Sequence, residues 1–378
     1  MSSRKKNNGE YQLEHDTNGF LRLLNLMVEQ KASDLHLRVP SSPVFRIDGT
    51  LVPQEDLPPL TPDYVDKIFY AVSTPEQKKT FARELALDFT YSIPGLARFR
   101  ISAIRQRGTI SLAFRLIPIK IPSIDELELP QICKELILRP RGLILITGPS
   151  GSGKSTTLAS MINHLNENYR RNVITIEDPV EYLHSNNSCI IAQRELGGDT
   201  ISFSAAVIHG LRHDPDVIVI GEVRDLDTMS TAITAAETGH LVLGTLHTID
   251  VVQTIDRVVD LFPHGQQRQV RLQLSQIIEA IISQTLVSRI GGGRVAAMEI
   301  MVANGATRNL MRDSEKVHEL PRNMEVSSKE EGMQTLDQAL TDLVKRGVVS
   351  REDAIVRSMN PARLNQLLND MRMTSTRF

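Results

Sequence analysis

The chain has 378 residues, more than one compact core holds at about 100–200 residues per domain, so two or three domains are expected. With 43 Lys and Arg against 45 Asp and Glu, the net charge of −2 gives no global electrostatic case for nucleic acid or an anionic membrane as partner. Two cysteines, Cys133 and Cys189, cannot build a disulfide framework or a four-thiolate zinc site.

Residues 1–16 are polar and charged, with no apolar core for a signal peptide, and read as a mobile tail. No run of about 18 apolar residues occurs along the chain, so direct membrane insertion is not expected and the expected compartment is a reducing cytoplasm. From Gly19, Phe20, Leu23, Leu24, Met27 and Val28 recur at helical spacing. Asp34–Arg38 and Val44–Ile47 alternate like strands, and Asp48-Gly49 reads as a hairpin turn leading to Thr50–Val52. Helical stretches follow near Asp63–Val72 and Pro75–Glu84, then two β-rich runs, Ala97–Arg105 and Gly108–Leu116. This order predicts a small α+β domain over residues 17–117. Pro118 and Pro122, in an extended context, mark a stiff linker over residues 118–122.

Residues 123–378 have a different character. Apolar runs at Leu143–Thr147, Val173–Ile176, Val217–Ile220 and Leu241–Thr245 alternate with helical segments. Continuous apolar runs mean strands buried on both faces, hence a largely parallel sheet flanked by helices. Residues around Arg268–Leu286 read as helix with an apolar face in the core, and the chain beyond about Ile300 reads as mainly helical.

Gly148-Pro149-Ser150-Gly151-Ser152-Gly153-Lys154-Ser155 matches G-x-x-x-x-G-K-[ST] in full, directly after the strand Leu143–Thr147 and opening a helix from Thr156. Glycines let backbone N–H groups turn inward around phosphates at the positive end of a helix. Lys154 is expected to reach the β and γ phosphates, and Ser155 to ligate Mg²⁺. Val173–Ile176 delivers Glu177-Asp178-Pro179-Val180-Glu181 at a strand end, where ligands of open α/β sheets sit. Glu177 is the candidate to orient the attacking water, Asp178 the alternative, and Glu181 reads as a solvated helix-start acid. Val217–Ile220 ends in Gly221-Glu222, the Walker-B position, where Glu222 is expected to hold Mg²⁺ through water. His240 and His247 bracket one strand; about 20 Å apart, they cannot share a metal. His240 reads as structural, while His247 can hydrogen-bond the γ-phosphate or the catalytic glutamate.

These motifs, together with Ala32-Ser33-Asp34-Leu35-His36-Leu37, Arg212-His213-Asp214-Pro215-Asp216 and Ala236-Glu237-Thr238-Gly239-His240, give a chain that resembles the ATPase superfamily of type II and type IV secretion. Gly332-Met333-Gln334-Thr335-Leu336-Asp337-Gln338 and the short N-terminal domain make it similar to the type IV pilus retraction (twitching motility) ATPases within that superfamily. The two cysteines exclude the four-cysteine zinc insert of the extension ATPases. Thr307, in Ala306-Thr307-Arg308-Asn309-Leu310-Met311-Arg312, stands where the family's segment is apolar, and Val39-Pro40-Ser41-Ser42-Pro43 departs from the family's Gly-x-Pro-Pro-like turn.

The resemblance implies a PAS-like N-terminal domain, a RecA-like ATPase domain and a homo-hexamer with Mg-ATP between subunits. It implies arginine fingers from the N-terminal domain, for which Arg100, Arg105 and Arg115 are the candidates, and rotation of the two domains about the linker. It further implies an inner-membrane pilus platform protein and a paralogous retraction ATPase as partners, at the cytoplasmic face of that membrane. Two other readings stand beside it: a regulatory ring partner with weak ATPase, or a related type II secretion or pilus assembly ATPase.

Overall fold

The computed structural model describes residues 17–47, 49–93, 96–117 and 120–375. The expected tail at 1–16, Asp48 of the expected hairpin turn, and Pro118 and Ile119 of the expected linker lie outside the described residues. The chain divides into two compact units, Met1–Ile119 and Lys120–Phe378.

The N-terminal unit runs α1 (Thr17–Glu29), β1 (Asp34–Leu37), β2 (Val44–Ile47), β3 (Thr50–Pro53), α2 (Pro62–Val72), α3 (Pro75–Glu84), β4 (Ala86–Ile93), β5 (Ala97–Gln106) and β6 (Thr109–Ile117). Its six strands form an antiparallel sheet in the order β3-β2-β1-β6-β5-β4. Phe20 and Leu24 of α1 and Tyr64 and Ile68 of α2 share one core with Phe99, Ile101 and Phe114 of the sheet, and the rings of Phe20 and Phe114 lie 5.4 Å apart. Both helices after the β3 turn begin at Pro behind a capping Thr, Thr61 for α2 and Thr74 for α3, which supplies an oxygen to an otherwise orphan N–H.

The C-terminal unit continues with α4 (Ile132–Leu136), β7 (Gly142–Thr147), α5 (Lys154–Asn168), β8 (Asn172–Glu177), β9 (Ile190–Glu195), α6 (Phe203–Gly210), β10 (Val217–Ile220), α7 (Leu226–Glu237), β11 (Leu241–Leu246), α8 (Val251–Asp260), α9 (His264–Ile277), β12 (Ile278–Ser288) and β13 (Arg294–Val302). It closes with α10 (Gly305–Arg312), α11 (Leu320–Glu331), α12 (Leu336–Lys345), α13 (Arg351–Arg357) and α14 (Pro361–Ser375). The seven-stranded sheet has the order β13-β12-β7-β11-β10-β8-β9. All its pairings are parallel except β12 with β13. Every residue of β7, β10 and β11 is buried, as continuous apolar runs require of strands covered on both faces. The fold class is therefore the expected one: a PAS-like α+β unit followed by a RecA-like α/β unit.

Four strands depart from the sequence reading. The helix expected around Arg268–Leu286 ends at Ile277, and Ile278–Ser288 is strand β12, seated between β7 and β13. Its run of Ile, Ala and Val is buried on both faces, so it carries no alternation to distinguish it from a helix. Strands β4, β9 and β13 form sheet edges. Strand β9 mixes apolar with polar residues without a clean period and β13 is buried along most of its length, whereas β4 alternates Leu87, Phe89, Tyr91 and Ile93 with Asp88, Thr90 and Ser92, a strand period that the sequence reading passed over.

Candidate nucleotide site

Strand β7 turns at Gly148, whose φ of +142° is open to glycine alone; a Cβ there would stand 2.2 Å from the Gln284 carbonyl oxygen. Gly153, at φ +90°, occupies the N-cap of α5, and no side chain caps that helix. Its first N–H groups therefore remain for an external acceptor, at the positive end of the helix dipole. Lys154, the first residue of α5, is buried and donates to the carbonyls of Gly148 (2.8 Å) and Pro149 (3.2 Å). Burial draws its pKa down, against the pull of the Glu222 and Glu181 charges. Buried Gln284 of β12 braces the loop from beneath, accepting from Thr157 Oγ1 (2.7 Å) and donating to the Ser152 carbonyl (2.7 Å).

Because β7, β11, β10 and β8 are adjacent and parallel, the segments after their C-terminal ends open on one side of the sheet. They converge on a cavity of about 230 Å³ whose walls include Lys154, Ser155, Glu177, Glu222 and His247. Ser150 and Gly151 also line it. Gly148, Pro149, Ser152, Gly153 and Thr156 shape the loop and the helix start around it, and the Thr156 hydroxyl lies 2.9 Å from that of Tyr182.

The two glutamates differ in environment. Glu177 accepts from Thr175 Oγ1 (2.6 Å) and Gln193 Nε2 (3.1 Å), both onto Oε1. Burial nonetheless holds its carboxyl above the ordinary range, those donors opposing. Glu222 accepts from Arg224 (2.6 Å) and lies 2.9 Å from His247 Nε2. The Arg224 hydrogen bond, working against burial, holds Glu222 below the ordinary range. Two carboxyls pushed in opposite directions suit different tasks: one a stronger base, the other a fixed anion. The structure pairs His247 with Glu222, not with Glu177, the glutamate expected from the sequence. His240, at the far end of β11, makes a 3.0 Å ring-nitrogen contact with the Ala235 carbonyl at the end of α7. Asp178 and Glu181 are exposed.

The three candidate arginines belong to the N-terminal unit, and its sheet sorts them. Arg100 of β5 pairs directly with Arg115 of β6, so both project from one face. That face holds a concavity of about 280 Å³ lined by Asp34, His36, Asp88, Arg100 and Arg115. Arg115 Nε donates to buried Asp34 at 2.8 Å. Arg105 is paired with Ile110, a core residue, on the opposite face; its guanidinium lies 5.8 Å from the Phe81 ring centre and donates to the Gly108 carbonyl. Sequence reasoning treated the three as equivalent and passed over Gln193 and Gln284, whose roles depend on contacts between strands, and Arg224, which meets Glu222 two residues away in the same loop.

The Type II/IV secretion system protein family matches residues 20–292. The chain belongs to that family. Among the family's characterised proteins, it is 47% identical to the type IV pilus retractation ATPase PilT of Pseudomonas aeruginosa over 88% of this chain and 96% of that one. It is 43% identical to a twitching motility protein of Neisseria gonorrhoeae over 84% of this chain and 85% of that one. The fold is similar to the crystal structure of the pilus retraction motor PilT with bound ADP, at a TM-score of 0.86 and 44% identity, covering 92% of this chain and 98% of that one.

Proposed function

We propose that the protein is a P-loop ATPase that hydrolyses Mg-ATP to power retraction of a type IV pilus. The observation that carries the reading is the convergence of Lys154, Ser155, Glu177, Glu222 and His247 on one cavity beside a helix N-terminus without a side-chain cap. Likeness to PilT over nearly the whole chain supports the pilus assignment.

In this reading the loop N–H groups and Lys154 hold the triphosphate. The Ser155 hydroxyl and Glu222 carboxylate, hard oxygen donors lining the same cavity, fit Mg²⁺, which takes few protein ligands beside phosphate and water. Bound there, the ion supplies neutralisation of charge on the β and γ phosphate oxygens. Glu177 accepts the proton of the attacking water, and its raised pKa makes it the stronger base. His247 holds Glu222 in place. Arg100 and Arg115, on one face of the N-terminal unit, are the finger candidates carried forward, and Arg105 the weaker one. A homo-hexameric ring, with these arginines supplied by a neighbouring subunit, would act on an inner-membrane platform protein at the cytoplasmic face, with or without a paralogous ATPase.

Purified chain should turn over ATP with Mg²⁺. Glu177→Gln should bind ATP and fail to hydrolyse it, and Lys154→Ala should lose nucleotide affinity. Normal turnover in Glu177→Gln removes that residue from the chemistry. Nucleotide binding without turnover in the native chain leaves a regulatory ring partner.

A further inference from the structure

Strand β9 lies at the sheet edge, yet alternate residues on it reach back to the turn that carries Glu177. Gln193 Nε2 donates both to Glu177 Oε1 (3.1 Å) and to the Tyr182 carbonyl (2.8 Å), while its own Oε1 accepts from the His184 backbone N–H (2.9 Å). Two residues on, the Glu195 carboxylate accepts from the Val180 N–H (3.2 Å). From within β8, Thr175, fully buried, donates to the same Glu177 oxygen (2.6 Å). All four of these side-chain contacts of Gln193 and Thr175 thus fix the 177–184 turn and its carboxylate rather than the sheet.

We infer that Gln193, together with Thr175, is a positioning residue for the general base: it sets the rotation of the Glu177 carboxylate and favours its ionised form. The inference rests on the reading of Glu177 as base. Two donors on Oε1 stop the carboxylate turning about its Cγ–Cδ bond, so the lone pairs of Oε2 keep one direction for the proton they accept. Both donors bond the anion more strongly than the acid, so they work against the burial that raises this carboxyl. The other charged and titratable groups around Glu177 are Glu181, whose backbone N–H lowers it while its charge raises it, Glu195 on β9, Lys154 on α5, Asp178 and neutral His184 on the turn, and Glu222 and His247 from the neighbouring strand ends. Neither Gln193 nor Thr175 carries charge, so removing either takes a donor from Glu177 and leaves these charges as they are.

The test is single-turnover ATP hydrolysis with Mg²⁺ by the full chain from pH 5 to 9, for native protein, Gln193→Met and Thr175→Val, with ADP affinity measured alongside. Loss of a donor raises the Glu177 pKa, and a base must be ionised to act, so the acidic limb should move to higher pH by about one unit in each variant. The plateau rate should fall about tenfold in Gln193→Met, with ADP affinity within about twofold of native. An acidic limb that stays in place in both variants overturns the inference, whatever happens to the rate. Should Gln193→Met not fold, Thr175→Val, which removes one hydroxyl, decides alone. Glu177→Gln separates the two levels. If it hydrolyses ATP normally, the base assignment itself fails; if it is inactive while the limbs do not move, the base stands and the positioning role falls.

Discussion

Glu299 offers a stability prediction that can be worked through from its surroundings. It sits on β13 with 7% of its surface exposed, where the Val251 N–H approaches Oε2 at 3.4 Å. Burial, then the nearby Asp250 charge, push its carboxyl from an ordinary 4.5 up to about 8, the Val251 N–H working the other way. The folded chain therefore keeps a proton that the unfolded chain releases above about pH 4.5. Stability from this group is fully present below that value and is lost as pH rises towards 8. At pH 7.5 the retained proton costs about 4 kcal/mol, at about 1.36 kcal/mol per unit. Glu299→Gln has no proton to retain. Thermal melts without nucleotide should show it nearly matching native protein at pH 5. At pH 7.5 it should melt about 10 °C higher, at about 2–4 °C per kcal/mol for a unit of this size. Native stability should fall between pH 5 and 8 more steeply than that of the variant. Parallel stability–pH curves for the two proteins would refute a neutral, buried Glu299.

Gly148→Ala drives a Cβ to 2.2 Å from a backbone oxygen of β12, so ADP affinity by titration should fall about 100-fold; a change under threefold means the loop shifts freely. Thr307 is not a stray polar residue: it is buried and completes a capping box with Asn304, each backbone N–H meeting the other's side chain at 2.8 and 2.9 Å. Thr307→Val should lower stability by about 1 kcal/mol in urea melts while ATP turnover is unchanged, and an unaltered melt contradicts the cap. Burial opposes ionisation of Asp34, but donors from Ser33 and Arg115 and the Arg115 charge outweigh it and hold the carboxyl below its ordinary 3.8. Its contribution is present above that value and lost as pH falls through the lower folded one. Asp34→Asn should therefore cost about 1–3 kcal/mol at pH 7 and progressively less in acid; an equal loss at pH 3 and 7 excludes the ion pair.

What the amino-acid order determined by itself was local. The phosphate loop is readable because strand, turn and helix follow one another in about twenty residues, and the turn's glycines answer to backbone angles set within that stretch. Glu177 and Glu222 are readable because each ends an apolar run long enough to be a buried parallel strand. The separation of Arg105 from Arg100 was also within reach, since five residues along one strand reverse the face. Tertiary structure alone decided which distant pieces meet. The adjacency of β10 and β11 gives His247 to Glu222 instead of Glu177. The register of β5 against β6 sets Arg100 beside Arg115. Insertion of β12 beside β7 turns an apolar stretch that reads as helix into a strand whose Gln284 supports the loop. The edge strand β9 brings Gln193 to the Glu177 carboxylate across sixteen residues of chain. Strand order and register arise from burial summed over whole sheets, and no window of sequence carries that sum.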